Sequence, residues 1–345
     1  MGDSSTGIFE WIVSGTSMKY FIFILMFLVM PMAGPAASAP ALADQAQTPK
    51  VAGGGKTLIG VSVPMAVHGW TGAVIWWAKD EISKLDQQYK DVDFLFVTAN
   101  NPKKQAGDIS AMIDQGVAAL VVLPVSDGPL TGILEKAHQK GIFIVAVDRI
   151  SPHLSRDVLV TADNAALGRM CGEILAEAIG GRGNIVIMEA LPSSINTIRV
   201  NAFKEVIAGY PDIRILDSQH VNWNLATGLE VMENFLLAHP RLDAIWTGDD
   251  SILTRVLTVY KKSGRSDLKI VLGLGGAKEV VKMIRDGHPL VQATINYPAT
   301  IISDSIRVAT EHVMEGKDFE PEIDIVCEKI DRSNAGNFYN PQSPY

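Results

Sequence analysis

The chain has 345 residues and a formal net charge of −8, from 30 Lys and Arg against 38 Asp and Glu. No run of Lys or Arg is longer than two, so the sequence lacks the concentrated basic surface of a nucleic-acid-binding protein. Only Cys171 and Cys327 are present, which excludes a disulfide scaffold and leaves open whether the two pair. No C-x-x-C motif or Cys/His cluster indicates a metal site, and we expect no cofactor.

The first feature along the chain is an export signal. Lys19 precedes an apolar run at 20–30, which is shorter than the roughly 20 residues needed to span a bilayer. Small residues follow, and Ala41-Leu42-Ala43 provides an A-x-A cleavage site. We therefore predict a secreted, periplasmic protein whose mature chain begins at Asp44.

The remaining N-terminal residues fit the same interpretation. Residues 1–17 contain no Lys or Arg, so within the predicted signal peptide 1–43 we expect translation to start at Met18. The glycine-rich stretch inside 44–56 fails as a phosphate-binding loop, because the first glycine of that motif would fall at Lys50. It is interpreted as a linker.

From Thr57 onward, apolar β-branched runs alternate with amphipathic stretches at the spacing of βα units. Apolar residues recur at helical spacing over 75–89 and 225–236, and Asn101 and Asp163 have the sequence context of helix N-caps. The strands are apolar throughout, as in a parallel sheet covered on both faces, so the predicted fold class is α/β. The predicted strands are 58–63, 92–97, 118–123, 142–147, 184–188, 244–247, 270–272 and 291–295.

A second glycine-rich segment, 273–276, follows a predicted strand and precedes a predicted helix. The third glycine of the dinucleotide-binding fingerprint would fall at position 278, which is Lys278. We therefore do not assign nicotinamide binding to this segment.

Candidate ligand residues follow the strands, because open parallel sheets bind ligands beyond the carboxyl ends of their strands. Charged and amide groups could hydrogen-bond a polyhydroxylated ligand, and aromatic faces could pack on a sugar ring. Each residue also has a structural alternative: a surface ion pair, a helix cap or a place in the core. The candidates are His68, Trp70, Asp148, Arg149, Arg199, Trp223, Asp249 and Asn296.

No catalytic constellation is evident in the sequence. It contains no G-x-S-x-G motif, its histidines are scattered, and spacing alone forces no pair of carboxylates together. We therefore expect a binding protein and not an enzyme.

Taken together, several motifs resemble the periplasmic sugar-binding proteins of bacterial ABC importers, the group exemplified by ribose-binding protein. The resemblance extends from Thr57 to about Lys329. It implies a type I periplasmic binding protein fold: two Rossmann-like lobes with parallel sheets, joined by a three-segment hinge and closing on a sugar. The motifs are Val147-Asp148-Arg149, Thr161-Ala162-Asp163-Asn164, Arg199 before Ala202-Phe203, the helix end at 236–240, Asp243-Ala244-Ile245 with Asp249-Asp250, and Ala293-Thr294-Ile295.

The resemblance also implies lobe boundaries and site roles. The N-terminal lobe would comprise 57–162 plus 297–324, and the C-terminal lobe 163–296 plus 325–345, with crossings near 162/163, 296/297 and 324/325. Asp148, Arg149 and Arg199 match the family's charged hydroxyl-binding residues, and Trp223 matches its stacking aromatic. Asp249 stands where an Asn is frequent and Asn296 stands near a usual Gln, while His68 and Trp70 lie in the loop that supplies further ring contacts.

Two departures from the family pattern affect the choice of ligand. Gly275 stands where the family often has an Asp, and the loop 64–70 lacks the usual Asn and paired Phe. Ribose or galactose therefore does not follow as the ligand. The predicted cleft charges, two arginines against Asp148 and Asp249, sum to zero and favour a neutral ligand over an anionic one.

We therefore expect a monomeric receptor that captures a small neutral sugar or polyol and delivers it to an inner-membrane ABC permease. The alternatives are an exported carbohydrate-active enzyme and a sugar-sensing subunit of a chemoreceptor or kinase. A repressor of the lac type shares the core fold, but it needs an N-terminal helix-turn-helix, and the apolar signal occupies that place.

Overall fold

The computed structural model describes residues 55–66, 68–126, 128–148, 153–221, 225–343 and 345. All of them fall within one unit of the chain, Gln47–Tyr345. The predicted signal peptide and nearly all of the predicted linker lie outside the described residues.

Strands and helices alternate along most of the chain, as the sequence predicts. The strands are β1 Thr57–Pro64, β2 Val92–Ala99, β3 Ala119–Val122, β4 Phe143–Val147, β5 Val158–Thr161, β6 Arg182–Glu189, β7 Asp212–His220, β8 Ala244–Trp246, β9 Ile270–Leu272, β10 Ala293–Ile295, β11 Glu322–Asp324 and β12 Lys329–Asp331. The helices are α1 Gly69–Gln88, α2 Pro102–Asp114, α3 Thr131–Gln139, α4 Asn164–Ile179, α5 Ser194–Ala208, α6 Leu225–Ala238, α7 Asp250–Ser263, α8 Lys278–Arg285, α9 Ile301–Glu315 and α10 Ala335–Phe338.

The larger sheet has six parallel strands in the order β11-β5-β4-β3-β1-β2. Successive residues of its central strands pack into different cores. Val121 and Val145 belong to the cluster that includes α1 and α9, whereas Leu120 and Ile144 belong to the cluster with α2 and α3. Helices therefore cover both faces, which explains why these strands are apolar throughout.

The second sheet has four parallel strands in the order β7-β6-β8-β9. Its faces divide in the same way. Ile187 and Trp246 pack with residues of α4 and α5, whereas Val186 and Ile245 pack with residues of α6 and α7. Trp246 lies in the core and stacks on Phe203 with ring centroids 4.3 Å apart.

The third pairing is antiparallel. β10 pairs with β12, and Asn296 then makes a parallel bridge to Gly275 beyond the end of β9. The sequence predicts β10 as one more strand of a parallel sheet. Residues of β12 supply the antiparallel partner, and their three-residue run carries no pattern that identifies it as a strand.

The predicted helix starts are confirmed at two positions. The side chain of Asn101 accepts a hydrogen bond from the Lys104 N–H at 2.9 Å, and Pro102 follows at the first helical position. Asp163 caps α4 by accepting from Ala166 N–H at 2.8 Å. These side chains satisfy backbone donors that a helix leaves unpaired.

Cys171 and Cys327 are both free thiols, the first buried and the second partly buried. None of the described helices combines the length and the apolar character needed to span a membrane.

Asp250, the first residue of α7, connects α7 to the start of α8 and to β10. Its Oδ2 accepts hydrogen bonds from the backbone N–H groups of Gly276 and Ala277, both at 2.8 Å. Its Oδ1 accepts from the Thr294 hydroxyl of β10, also at 2.8 Å. A Cβ atom at Gly273 would overlap Oδ1. The segment 273–276 is therefore glycine-rich because it wraps closely around this carboxyl group.

Asp250 is fully buried, and burial is the main reason that its pKa is raised to about 7, with the neighbouring Asp249 adding to the effect. Between about pH 4 and pH 7 the folded chain then holds a proton that the unfolded chain releases. The free energy of unfolding consequently decreases as pH rises through this interval and is not recovered above it.

We predict that Asp250→Asn removes this dependence, because the amide keeps the shape and carries no charge. Urea unfolding between pH 4.5 and 7.5 should show that wild type loses roughly 2 to 4 kcal/mol relative to the variant. Asp318→Asn, which changes an exposed carboxylate, is the control and should follow wild type. If the free energy of unfolding changed with pH in the same way for wild type and Asp250→Asn, the raised pKa of Asp250 would be contradicted.

Candidate functional site

A cavity lies where loops from both parallel sheets meet, and it encloses about 480 Å³ of space, including the open solvent at its mouth. Nearly every lining residue follows the carboxyl end of a strand, the position that the sequence predicts for ligand binding. The lining residues are His68, Trp70, Asp148, Ser193, Ile195, Arg199, Gly248, Asp249, Leu274, Gly275, Tyr297 and Tyr345.

The cavity brings together five of the eight candidates: His68, Trp70, Asp148, Arg199 and Asp249. Asn296 is not among the lining residues, and its side-chain oxygen accepts a hydrogen bond from the Glu328 N–H. The structure thus places Asn296 between β10 and the segment before β12. Arg149 and Trp223 lie outside the described residues.

Asp148 has an unusual backbone conformation directly after β4. Its φ is 63°, and it is the one non-glycine residue with positive φ in the described part of the chain. Its N–H donates to Val160 O at 2.8 Å, and its carbonyl accepts from the Thr161 hydroxyl at 3.2 Å. Strain of this kind concentrates at functional sites. Here β5 holds the strained residue so that its buried side chain lines the cavity.

Tyr297 joins the candidates into one cluster. Its hydroxyl donates to Asp148 Oδ1, and its carbonyl accepts from Trp70 Nε1 at 2.9 Å. The Arg199 guanidinium lies over its ring, with Cζ 4.7 Å from the centroid. Burial, followed by the charge of Asp148, raises the pKa of Tyr297 well above its ordinary value. The phenol therefore remains a hydrogen-bond donor to the carboxylate.

Arg199 reaches the cavity from α5. Its Nε donates to Asn164 Oδ1 at 2.8 Å, and Asn164 Nδ2 in turn donates to Ala162 O at 3.0 Å. This contact uses one of the five N–H donors of the guanidinium group. A Cβ at Gly168 of α4 would overlap the carbonyl of Arg199, so a glycine allows α4 and α5 to approach this closely.

Asp249 combines the two roles that the sequence leaves open. It caps α7 by accepting from Ser251 N–H at 2.7 Å, and its side chain also lines the cavity. Burial raises its pKa, while the hydrogen bond from Ser251 and the charge of Arg199 oppose that change.

His68 lies in the loop after β1 and is the N-cap residue of α1. Its N–H donates to the Thr71 hydroxyl at 3.3 Å.

Sequence analysis misses the two tyrosines of the cavity. Tyr297 directly follows Asn296 at the end of β10, so the strand-end rule identifies the position but not which side chain enters the cavity. Tyr345 follows α10 and is close to no predicted element. Its ring is half-buried, its hydroxyl is buried, and burial raises its pKa well above the ordinary value.

The described lining has one guanidinium, from Arg199, and two carboxyl groups, from Asp148 and Asp249. An anionic ligand would meet more acceptors than cationic donors among these residues, whereas hydroxyl groups can donate to carboxylates and accept from the guanidinium. Hydroxyl-rich neutral molecules therefore suit the described part of the cavity.

Known proteins with this architecture share sequence with the chain. The ribose import binding protein of Bacillus subtilis is 26% identical over 223 residues, which are 63% of this chain and 70% of that protein. The xylitol-binding protein of Mycolicibacterium smegmatis is 27% identical over 250 residues, 71% of this chain and 70% of that protein.

Solved structures agree on the fold. The fructose-binding periplasmic domain of a hybrid two-component system has a TM-score of 0.73 and 27% identity, covering 82% of this chain and 93% of that one. A solute-binding protein from Bacillus halodurans with bound myo-inositol has a TM-score of 0.75 and 22% identity, covering 84% of this chain and 99% of that one.

A family model described as a periplasmic binding protein domain matches residues 59–318, which include the whole four-stranded sheet and all of the six-stranded sheet except β11 and the first two residues of β1. The architecture is the type I periplasmic binding protein fold. The chain belongs to the periplasmic binding protein domain family.

Proposed function

We propose that this protein is a receptor that captures a small neutral sugar or polyol and delivers it to an ABC permease. The main support is the convergence of a guanidinium, two carboxylates and aromatic rings at strand ends of both sheets. Relatives named for ribose import and xylitol binding have the same family domain and support this class of ligand. Binding without catalysis is the role that the proposal assigns to the cavity.

The ligand residues that we propose are His68, Trp70, Asp148, Arg149, Arg199, Trp223, Asp249 and Asn296. Asp148 and Arg199 carry most of the argument, because both line the cavity and both are fixed by contacts to other elements. In this assignment carboxylates accept from ligand hydroxyl groups, and the guanidinium donates to them.

A thermal-shift screen against pentoses, hexoses, polyols and cyclitols tests the proposed function directly. A ligand at about 100 times its Kd should stabilise the protein by about 2.7 kcal/mol. Matched pairs, galactose with galacturonate and ribose with ribose 5-phosphate, test the charge preference. Selective stabilisation by the charged member of a pair would refute the neutral assignment.

We predict that Asp148→Asn and Arg199→Met each weaken binding of the ligand found in that screen by roughly 10- to 150-fold. The estimate assumes loss of one charged hydrogen bond worth about 1.5–3 kcal/mol. Asparagine tolerates the positive φ of position 148, so the backbone should be preserved. Asp318→Asn and Arg214→Met, both at exposed positions, are the controls. Titration calorimetry giving wild-type affinity for both cavity variants would place the ligand elsewhere.

We further propose that the protein closes on its ligand as two lobes, 57–162 plus 297–324 and 163–296 plus 325–345. The sheets support this division, since the six-stranded sheet is built from 57–161 and 322–324 and the four-stranded sheet from 182–272. A ligand favours closure only through contacts that both lobes make in the closed state. Asp148 follows the larger sheet and Asp249 the smaller, so one ligand could contact both.

Ligand binding is accordingly expected to decrease the radius of gyration measured by small-angle scattering. It should also change the fluorescence of Trp70, whose indole lines the cavity. The forward scattering from the same samples should give the mass of a monomer. An unchanged radius at saturation, together with unchanged fluorescence, would contradict a hinged receptor.

We propose that residues 1–43 are a cleaved signal peptide and that the mature protein is periplasmic. Membership of the periplasmic binding protein domain family supports export. The expected intact mass of protein recovered from the periplasm is that of a chain beginning at Asp44. A cytoplasmic product that retains the apolar run at 20–30 would refute both cleavage and export.

The alternative role is that of a sugar-sensing subunit, which the relatives named for import do not favour. The fructose-binding periplasmic domain of a hybrid two-component system is similar to this chain over most of its length. Uptake of labelled ligand by cells that lack the protein separates the two roles. Lost uptake supports delivery to a permease, whereas normal uptake with a lost transcriptional response to the ligand supports sensing.

A further inference from the structure

The segment after α10 carries Tyr345 into the proposed sugar cavity. Lys278 Nζ, at the start of α8, donates to Ser343 O at 2.6 Å, and Tyr345 N–H donates to Ser343 Oγ at 3.2 Å. Further back, the Arg285 guanidinium lies 4.2 Å from the centre of the Tyr339 ring. These contacts attach the segment to α8 and fix the direction from which Tyr345 enters the cavity.

Two glycines, which follow strands of different sheets, make room for this side chain. A Cβ at Gly69, the first residue of α1, would lie 2.5 Å from Cδ2 of the Tyr345 ring. A Cβ at Gly275, after β9, would overlap the Tyr345 hydroxyl. The ring also packs against two hydrophobic core clusters, the one that includes residues of α1 and α9 and the one that includes residues of α6 and α7. Tyr345 is therefore a fitted part of the cavity wall that contacts residues after β1 and after β9.

The hydroxyl group of Tyr345 is buried and makes no hydrogen bond to any described residue. After burial, Asp249, Asp250 and Glu279 raise the pKa of this phenol, and Arg199 opposes them. A buried polar atom without a partner costs free energy, and a ligand hydroxyl in the cavity would remove that cost. The phenol can both donate and accept, which suits a sugar or polyol.

We propose that Tyr345 is a ligand-binding residue: its ring forms a wall of the cavity and its hydroxyl hydrogen-bonds a hydroxyl of the ligand. The inference deepens the proposed function and rests on it. It assigns to the segment after α10 a direct part in recognition, in addition to the loops that follow the parallel strands.

Calorimetry on Tyr345 variants tests the inference with the ligand identified in the sugar and polyol screen. Tyr345→Phe should weaken binding by about 3- to 10-fold, the effect of losing one neutral hydrogen bond, and Tyr345→Ala should weaken it further. Tyr339→Phe is the matched control, because that tyrosine packs on Arg285 and does not line the cavity. It should bind as wild type does.

A second pair of variants tests the position of the Tyr345 ring while Tyr345 itself is kept. Gly69→Ala should weaken binding by displacing the ring, whereas Gly72→Ala, in the same helix, should not, since its Cβ would have 4.0 Å to its nearest neighbour. In a Tyr345→Ala background, Gly69→Ala should have no further effect. Thermal unfolding of every variant establishes that it is folded.

The outcomes separate this inference from the proposed function. Wild-type affinity in Tyr345→Phe and Tyr345→Ala overturns the inference and leaves the receptor function intact. Tighter binding by Tyr345→Ala also overturns it, because the ring would then obstruct the ligand. A wild-type protein that binds no member of the screen overturns both.

Discussion

The buried carboxyl group of Asp250 is the interaction on which the cavity depends most. It fixes Gly276 and Ala277 at the start of α8 and Thr294 on β10, and its own N–H donates to Leu274 O at 3.0 Å. The ends of β8 and β9 and the strand β10 are thus connected through one residue. Asp249 and Gly275, which line the cavity, lie next to these anchored positions, and Tyr297 lies three residues after Thr294.

The other half of the cavity depends on a strained backbone. Asp148 adopts a positive φ, and hydrogen bonds from and to β5 maintain it there. Tyr297 then connects this residue to α5, because its hydroxyl donates to Asp148 and its ring lies under the guanidinium of Arg199. One tyrosine therefore links groups that follow β4, β6 and β10.

The sequence identified much of the fold because buried parallel strands leave a clear signal. Continuous apolar runs predicted β1 to β4, β6, β8 and β9, and the strand-end rule then predicted Asp148, Arg199 and Asp249. β7 was missed because it lies at a sheet edge, where only Ile213 is buried and the apolar run is absent. β11 and β12 were missed because each is a short strand with one apolar residue, Ile323 or Ile330, between charged residues. β5 is a buried four-residue run like β3, so its apolar signal was present and was overlooked.

The aromatic part of the site was harder to predict for a physical reason. Trp70 was expected to offer a ring face, and its indole N–H is in addition bonded to Tyr297 O, a contact between residues far apart in sequence. The segment that carries Tyr345 into the cavity is attached to α8 by the hydrogen bond from Lys278 to Ser343 O. No local period or spacing encodes such a contact, because it depends on tertiary packing.

The fit between Gly275 and Tyr345 limits how the recognition surface could change over evolution. An acidic side chain at 275 would occupy the space that the phenol now fills. Acquiring that carboxylate requires displacement of the tyrosine, and losing the tyrosine first leaves a gap beside a glycine. Positions 275 and 345 are therefore sterically coupled, so that a larger residue at 275 and the tyrosine at 345 exclude each other in this arrangement of the cavity wall.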